Sequence, residues 1–273
     1  MEKIALPQKI DFQQKSASND GTVIVEPLYP GYGNTIGNAL RRVLLSSLAG
    51  AAVIGVKIKG VKHEFMASAG IKEDVIDIIL NLKQLRLKIL SDNKETIKLE
   101  LNVQGKKQVT AKDIKKNPEV EIANPDLVLA NITDATGSLN MEIFVSRGAG
   151  YSFAEKNKEA GRDIDYIEID SIFSPILGVN YKVENVRVGK MTNWDKLILD
   201  IRTDGTISVE EAFNRSVKIL VEQFNSLITL KEEKSAKEVK GEKKEKEDEK
   251  KEDKKIKNEE KSAEKKSAEK KSK

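Results

Sequence analysis

The chain has 273 residues, no cysteine, and a net charge of +4 from 48 Lys or Arg and 44 Asp or Glu. The positive excess lies in residues 231–273, which hold 18 Lys and 14 acidic residues, whereas residues 1–230 hold 30 of each sign. Disulfides and thiolate sites are therefore excluded, and the neutral body gives no electrostatic reason to expect nucleic-acid binding.

A strand followed by a helix is predicted near the start of the chain. The β-branched residues at 22–28 indicate a strand that ends in a Gly- and Pro-rich turn. A helical stripe follows at Ile36, Leu40, Val43, Leu44 and Leu48. Asn34 or Thr35 is predicted to cap this helix. Leu45 beside Leu44 gives it a second apolar side, which suits a helix buried between two bodies better than one lying on a sheet.

The middle of the chain is predicted to be mostly β. Alternating or β-branched runs predict strands at 53–59, 85–89, 97–101, 138–145, 166–173, 180–188 and 197–201. One short helix interrupts them, and its apolar face is Ile71, Val75, Ile78, Ile79 and Leu82.

A late helix has the clearest start signal. Ser208 and Glu211 have the spacing of a capping box, in which each side chain satisfies a backbone N–H of the first turn. The apolar seam behind them is Phe213, Val217, Leu220, Val221, Phe224, Leu227 and Ile228. Either the core of the same chain or a partner helix could cover this wide seam.

Residues 231–273 are predicted to be a disordered, solvated tail, because they contain too few apolar residues to offset the entropy of ordering. Counterion release by the lysines is the alternative, but the acidic residues and the lack of aromatic side chains argue against nucleic-acid binding. The N-terminus shows no signal peptide, and no run of about 20 apolar residues could span a bilayer. A cytoplasmic protein with no membrane partner is expected.

Signals for catalysis are weak. His63 is the only histidine, and Glu64 beside it is predicted to point to the opposite face of a strand. Gly31 and Gly33 precede a helix, but the residues that follow lack a phosphate-loop fingerprint. A structural role is the better explanation of each, so no catalytic residue is predicted.

Two carboxylate pairs, Glu73 with Asp77 and Asp163 with Asp165, lie in charged stretches where such pairs arise by chance. No metal site is predicted, since one His without Cys cannot complete a usual zinc site.

Arg41 and Arg42 leave two interpretations open. Successive helical residues point about 100° apart, so the two arginine side chains point in different directions. The pair is either a solvated face or an interface anchor that uses the planar guanidinium fork.

A family resemblance is carried by a series of sequence blocks, of which Gly-Asn-Thr-Ile-Gly-Asn-Ala-Leu-Arg-Arg at 33–42 is the most distinctive. The blocks are Glu26–Leu28, Gly33–Ser47, Gly60–Phe65, Glu73–Asp74, Leu80–Lys83, Arg147–Tyr151, Phe173–Pro175, Asn180–Glu184, Thr203–Ile207 and Glu210–Ala212. In this order they resemble bacterial RNA polymerase alpha subunits over residues 4–230.

The resemblance implies an α+β fold. Residues 1–51 and 169–230 would form a discontinuous dimerisation subdomain, with two long helices on an antiparallel sheet. Residues 52–168 would be an inserted, mostly β subdomain, and 231–273 the disordered tail.

The resemblance also implies a homodimer that scaffolds assembly of the beta and beta-prime subunits. Arg41, Arg42 and Leu45 match positions that contact beta, and Lys83 and Ile169 match positions that contact beta-prime. The implied dimer interface consists of Ile36, Leu40, Leu44, Phe213, Val217, Leu220, Phe224 and Leu227. The chain would carry no cofactor and no catalytic residue of this nucleotidyltransferase, whose magnesium ions belong to the large subunits, and it would reach DNA only through the complex.

The chain departs from the family pattern in two places. The tail stands where a C-terminal DNA-contacting domain is expected, so this domain is expected to be absent. Ala149 stands where a basic residue is often found. The alternatives to an assembly subunit are a nucleic-acid-binding protein that acts through its tail and a stand-alone αβ enzyme.

Overall fold

A computed structural model describes residues 4, 6–14, 19–91, 96–154 and 165–228. The chain divides into a compact unit, Met1–Leu220, and a second unit, Val221–Lys273. Helices are α1 (Tyr32–Ser46), α2 (Val75–Lys83) and α3 (209–228). The described strands are β1 (Lys9–Gln14), β2 (Asp20–Leu28), β3 (Ala49–Ile58), β4 (Leu87–Ile89), β5 (Ile97–Gln104), β6 (Lys107–Thr110), β7 (Val120–Ile122), β8 (Val128–Ile132), β9 (Ser138–Ala149), β10 (Tyr151–Ser152), β11 (Tyr166–Glu168), β12 (Ser171–Ile172), β13 (Ile176–Val188) and β14 (Met191–Thr203).

The two ends of the first unit build one antiparallel sheet, in the order β1-β2-β14-β13. The pairing of β2 with β14 joins residues from opposite ends of the chain, for example Val23 with Leu199. Helix α1 packs on β13 and β14. The core between them combines Leu40, Leu44 and Leu197 with Phe213 from α3. The apolar faces of the helices and the apolar face of the sheet thus enclose a single interior.

The middle of the chain forms a second sheet, in the order β5-β9-β3-β4-β7, with β11 pairing beside β4 on β3. Helix α2 packs on β8 and β3 and buries Val75, Ile78 and Leu82 completely. The core of this region runs from Val53 to Ile169 in sequence and is separate from the first core. The α+β fold with an inserted β-rich region is therefore confirmed. The boundaries at 51/52 and 168/169 stay predictions.

Two local predictions need correction. His63 lies in an exposed turn rather than a strand, and the N–H of Met66 donates to its carbonyl oxygen. Half of the predicted capping box of α3 is present: the Glu211 N–H donates to the Ser208 hydroxyl at 3.2 Å. The Glu211 carboxylate pairs with Arg215 one turn later. A charged partner at i+4 competes with the backbone for this carboxylate.

The described part of the second unit is helical and consists of residues 221–228, all of them exposed. The predicted disordered tail, residues 231–273, lies outside the described residues.

Candidate interaction surfaces

Helix α1 is fixed at its N-terminus by a carboxylate from β14. Asp195 Oδ2 accepts the N–H of Gly31 at 2.9 Å and the N–H of Gly33 at 3.0 Å, and the side chain is buried. A buried carboxylate here accepts two backbone N–H groups that have no partner within the helix, and its negative charge complements the helix dipole. The predicted caps, Asn34 and Thr35, are wrong, because α1 begins at Tyr32 and its cap residue is Gly31. The acceptor lies more than 160 residues away, where no local pattern reveals it.

The same helix lies unusually close to its sheet. A Cβ on Gly37 would stand 2.7 Å from the Tyr181 ring and 2.8 Å from a methyl of Leu197. Only a residue without a side chain fits at this distance. Leu40 and Leu44 fill the rest of the contact and are buried.

The opposite side of α1 carries the three residues that match beta-contacting positions. Arg41, Arg42 and Leu45 are all exposed. Within the described residues, neither guanidinium has a hydrogen bond or an ion pair. These side chains are held on a rigid helix and remain available to a partner.

Asp170 connects Lys83 and Ile169, the two residues that the resemblance assigns to beta-prime contact, because it pairs with Lys83 and follows Ile169 in the chain. Lys83 Nζ lies 3.7 Å from Asp170 Oδ2. Ile169 is only 1% exposed, and its N–H donates to the carbonyl of Ile54 at 3.0 Å. Lys83 can therefore offer its side chain to a partner, whereas Ile169 shapes the surface from below.

Asp170 is the centre of a small polar network. The N–H of Ala154 donates to Asp170 at 2.9 Å, and the pKa of Asp170 lies below its ordinary value. The Ala154 hydrogen bond is the largest cause, burial opposes it, and the Tyr151 hydroxyl and Lys83 add to it. The pKa of Tyr151 is raised by burial and by its bond to Asp170. This network links Lys83 of α2 to Tyr151 of β10 through Asp170, the residue that precedes β12.

Exposed large apolar side chains lie on the elements that carry this network, and the sequence analysis did not predict them as a surface. The rings of Tyr151 and Phe153 meet edge to face at 5.0 Å, and both are more than half exposed. Ile76 and Leu80 lie on the face of α2 that carries Lys83, at i, i+4 and i+7 spacing, and both are exposed. We name Ile76, Leu80, Lys83, Tyr151, Phe153 and Asp170 the Lys83 surface. The helical spacing of Ile76, Leu80 and Lys83 and the alternation of Tyr151 and Phe153 are the sequence signals that could have revealed it.

The eight residues of the implied dimer interface fall into three groups. Leu40, Leu44 and Phe213 are buried in the chain's own core, and Phe213 meets Phe12 edge to face at 5.8 Å. The half-buried residues Ile36, Val217 and Leu220 pack against the same core. Phe224 and Leu227 are 60% and 63% exposed.

Contact with a second copy thus stays a prediction for all eight residues. Only Phe224 and Leu227 present most of their surface, and Val221 and Ile228 are similarly exposed. The three buried side chains have a packing role that is sufficient to explain them.

Among the described residues, no cluster of three or more His, Asp or Glu side chains could hold a metal ion. Glu73 accepts the N–H and the side-chain amide of Asn131, both at 2.6 Å. Asp77, the other carboxylate of the Glu73 pair, is exposed on α2. In the second carboxylate pair, Asp163 lies outside the described residues. No described helix is long and apolar enough to cross a membrane.

Comparisons with known proteins agree with this architecture. Residues 56–174 match the family model of the RNA polymerase Rpb3/RpoA insert domain. The chain is 51% identical over 238 residues to a DNA-directed RNA polymerase subunit alpha of Desulforamulus reducens, covering 87% of this chain and 75% of that protein. It is 49% identical over 225 residues to the same subunit of Carboxydothermus hydrogenoformans, covering 82% of this chain and 71% of that protein.

A subunit of Alkaliphilus metalliredigens with the same name is 47% identical over 234 residues, covering 86% of this chain and 73% of that protein. The insert-domain match defines the class, that of RNA polymerase subunits with an Rpb3/RpoA-type insert. The chain belongs to the family of bacterial DNA-directed RNA polymerase alpha subunits, and the resemblance found in its sequence is confirmed.

Proposed function

We propose that this chain is a non-catalytic assembly subunit, which forms a homodimer and then holds the beta and beta-prime subunits of RNA polymerase on separate surfaces. The observation that carries the proposal is the pair Arg41 and Arg42. Both are exposed and lack a partner within the described residues, yet they sit on a helix whose other side is tightly packed.

A surface of this kind suits a protein partner better than solvent. Arg is enriched among the residues that dominate interface energies, because its planar fork can bind a carboxylate through two parallel N–H groups. Holding the arginines on a rigid helix lowers the entropy lost on binding. Leu45, beside them, adds apolar area that becomes buried when a partner docks.

The Lys83 surface is the proposed site for beta-prime. It combines two exposed aromatic rings, which are enriched in protein interfaces, with two exposed aliphatic side chains and one cation, Lys83. The exposed end of α3 is the proposed dimer contact. A two-fold axis would use its apolar stripe twice and double the area that is buried.

The test is the solution mass of the full chain by light scattering, alone and with purified beta. We expect twice the chain mass of 30.4 kDa for the protein alone, and then a complex of two copies with one beta. Addition of beta-prime should give the complete core assembly. A chain that stays at 30.4 kDa, or a dimer that ignores beta, would rule out the assembly role.

A further inference from the structure

A cavity of about 450 Å³ opens at a seam of the inserted region. Strands β5 and β7 stand at the two ends of the strand order β5-β9-β3-β4-β7 in its six-stranded sheet, and both line this cavity. Residues 111–118 bridge the gap between the two edges. The N–H of Lys115 donates to the Glu100 carbonyl on the β5 side at 2.8 Å, and the N–H of Val120 in β7 donates to the Asn117 carbonyl at 3.3 Å. The first bond attaches the bridge to β5 and the second forms the turn that leads into β7, so the cavity lies between hydrogen-bonded elements.

The walls of this cavity are apolar. Leu99 of β5, Ile114 of the bridge and Val120 of β7 are buried and face it, and Ile122 adds a half-buried wall. Leu90 lies at the rim and is 56% exposed. Ligand pockets of proteins have volumes of roughly 300–1,000 Å³ and are lined mainly by apolar groups, with a few polar groups that fix orientation.

The polar groups at this cavity are mostly cationic. Lys112, Lys115 and Lys116 line it, against one carboxylate, Glu121. Lys112 pairs with Asp126 at 2.5 Å and Lys115 with Glu100 at 3.4 Å, in exposed bridges that contribute little and exchange readily. Lys116 has no ion-pair partner in the part of the chain that the structure describes.

An added peptide strand fits this cavity poorly. Strand addition needs a row of free N–H and C=O groups, but the N–H of Val120 is used by Asn117. Pro118 and Pro125, which also line the cavity, have no N–H. The Lys-rich tail is an unsuitable occupant, because Val239 and Ile256 are its only larger apolar residues.

We propose that this cavity binds a small organic carboxylate with an apolar body. The carboxylate would accept a hydrogen bond from the Lys116 ammonium group at the rim, with Lys112 and Lys115 adding positive potential. The hydrocarbon would lie between Leu99 and Val120 and cover Leu90, removing apolar surface from water. The site is independent of the proposed assembly role, because none of the proposed contact residues lines it.

The probe is decanoate, titrated into the full-length chain while the methyl NMR signals of Leu, Ile and Val are recorded. Its neutral counterpart is decanol, which has the same chain length and no charge. Saturable shifts are expected at Leu99, Ile114, Val120 and Ile122. Binding of decanol should be about tenfold weaker, since it lacks the charge that meets Lys116.

Variants complete the test. Lys116→Glu should weaken decanoate binding at least about tenfold, whereas Lys106→Glu, an exposed charge reversal in the same region that does not line the cavity, should bind as the wild type does. Ile122→Trp should block the cavity and abolish the shifts. Unfolding curves verify that each variant is folded.

Three outcomes would overturn the proposal. The cavity methyl signals could stay unshifted at millimolar decanoate. Decanol could bind as well as decanoate while Lys116→Glu has no effect, which would reveal an apolar groove without anion selectivity. A peptide of alternating Asp and Leu could compete more than about tenfold better than decanoate, which would indicate a protein partner instead.

Discussion

Arg42 is the side chain on which the proposed beta contact depends most. Replacing it by Ala should weaken binding of beta by about 2 kcal/mol or more, a typical loss for an interface hot spot, without changing the dimer mass. Arg42→Lys should recover only part of the affinity, because the ammonium group lacks the planar fork. Binding can be measured by titration calorimetry with purified beta. Asn38→Ala, an exposed change one turn earlier on α1, is the matched control, and an equal loss in that variant would argue against a specific role of the guanidinium.

Glu73 is expected to make stability depend on pH. Burial raises the pKa of Glu73, but hydrogen bonds from the Asn131 side chain and backbone outweigh it, and the net pKa is lowered. A carboxylate with a depressed folded pKa stabilises fully above the unfolded pKa, and this stabilisation is lost as pH falls through the folded pKa. Glu73→Gln should therefore cost about 1 kcal/mol near pH 7, and the difference from wild type should shrink near pH 3.

Urea unfolding at the two pH values measures this effect. Asp77→Asn removes an exposed carboxylate from the first turn of α2, four residues after Glu73, and should show little pH-dependent difference from wild type. A difference for Glu73→Gln that persists unchanged in acid would mean that the carboxylate charge is not responsible.

The helices illustrate how far sequence patterns reach. The helical stripe correctly predicted Leu40 and Leu44 as buried in α1, and Val75, Ile78 and Leu82 as buried in α2, because periodicity is a local property. Ile79 of the same predicted face is half-buried, and Ile71 precedes the first residue of α2. The start of α1 could not be found in this way, since the capping carboxylate comes from β14. The exposure of Phe224 could not be predicted from local sequence either. The seven apolar residues of the α3 seam have the same spacing whether the last of them pack in a core or lie on the surface.

Capping from β14 gives a prediction at the level of the α1 element. Asp195→Ala would leave the N–H groups of Gly31 and Gly33 unpaired at a buried helix end, which should cost about 1–3 kcal/mol of unfolding free energy. Asp195→Asn keeps an acceptor oxygen and should lose less. Asp126→Ala, at an exposed ion pair, serves as control and should change stability by less than about 0.5 kcal/mol. Urea unfolding measures the change. An equal free energy of unfolding for Asp195→Ala and wild type would mean that water replaces the carboxylate as the acceptor of these N–H groups.

The exposed end of α3 gives a second prediction at this level. Phe224→Glu should convert the proposed dimer to a monomer at low micromolar concentration, because a charge would be buried without a partner in the seam. Gln223→Glu adds the same charge at the adjacent exposed position and should remain dimeric. Light scattering and sedimentation measure the mass. A substitution at Phe224 tests the dimer contact more directly than one at Leu220, because Leu220 also packs against the chain's own core. A dimeric Phe224→Glu variant would place the contact elsewhere.

At the scale of the whole molecule, the family resemblance predicted an insertion but not how the two larger sheets of the first unit join. The junction is built from Phe173, which packs with Ala52 and Ile54 in a small cluster of its own. Strand β3 starts there, beside the end of α1, and runs into the inserted sheet. No periodic pattern marks such a junction, because it depends on close approach of backbones that are distant in sequence.

Gly50, at this junction, supplies the last prediction. A Cβ there would stand 2.1 Å from the Phe173 carbonyl oxygen, so Gly50→Ala requires the backbone to move. We expect a loss of about 1–3 kcal/mol in unfolding free energy, the usual cost of overpacking. Because both sheets meet at this point, urea unfolding followed by Trp194 fluorescence, which reports on β14, and by far-UV circular dichroism should shift to lower urea together. Gly178→Ala, whose Cβ would find only ordinary contacts, should leave both transitions in place. If only the fluorescence transition moved in Gly50→Ala, the two sheets would be unfolding independently. The junction then could not fix the spacing between Arg42 and the Lys83 surface that the proposed assembly role requires.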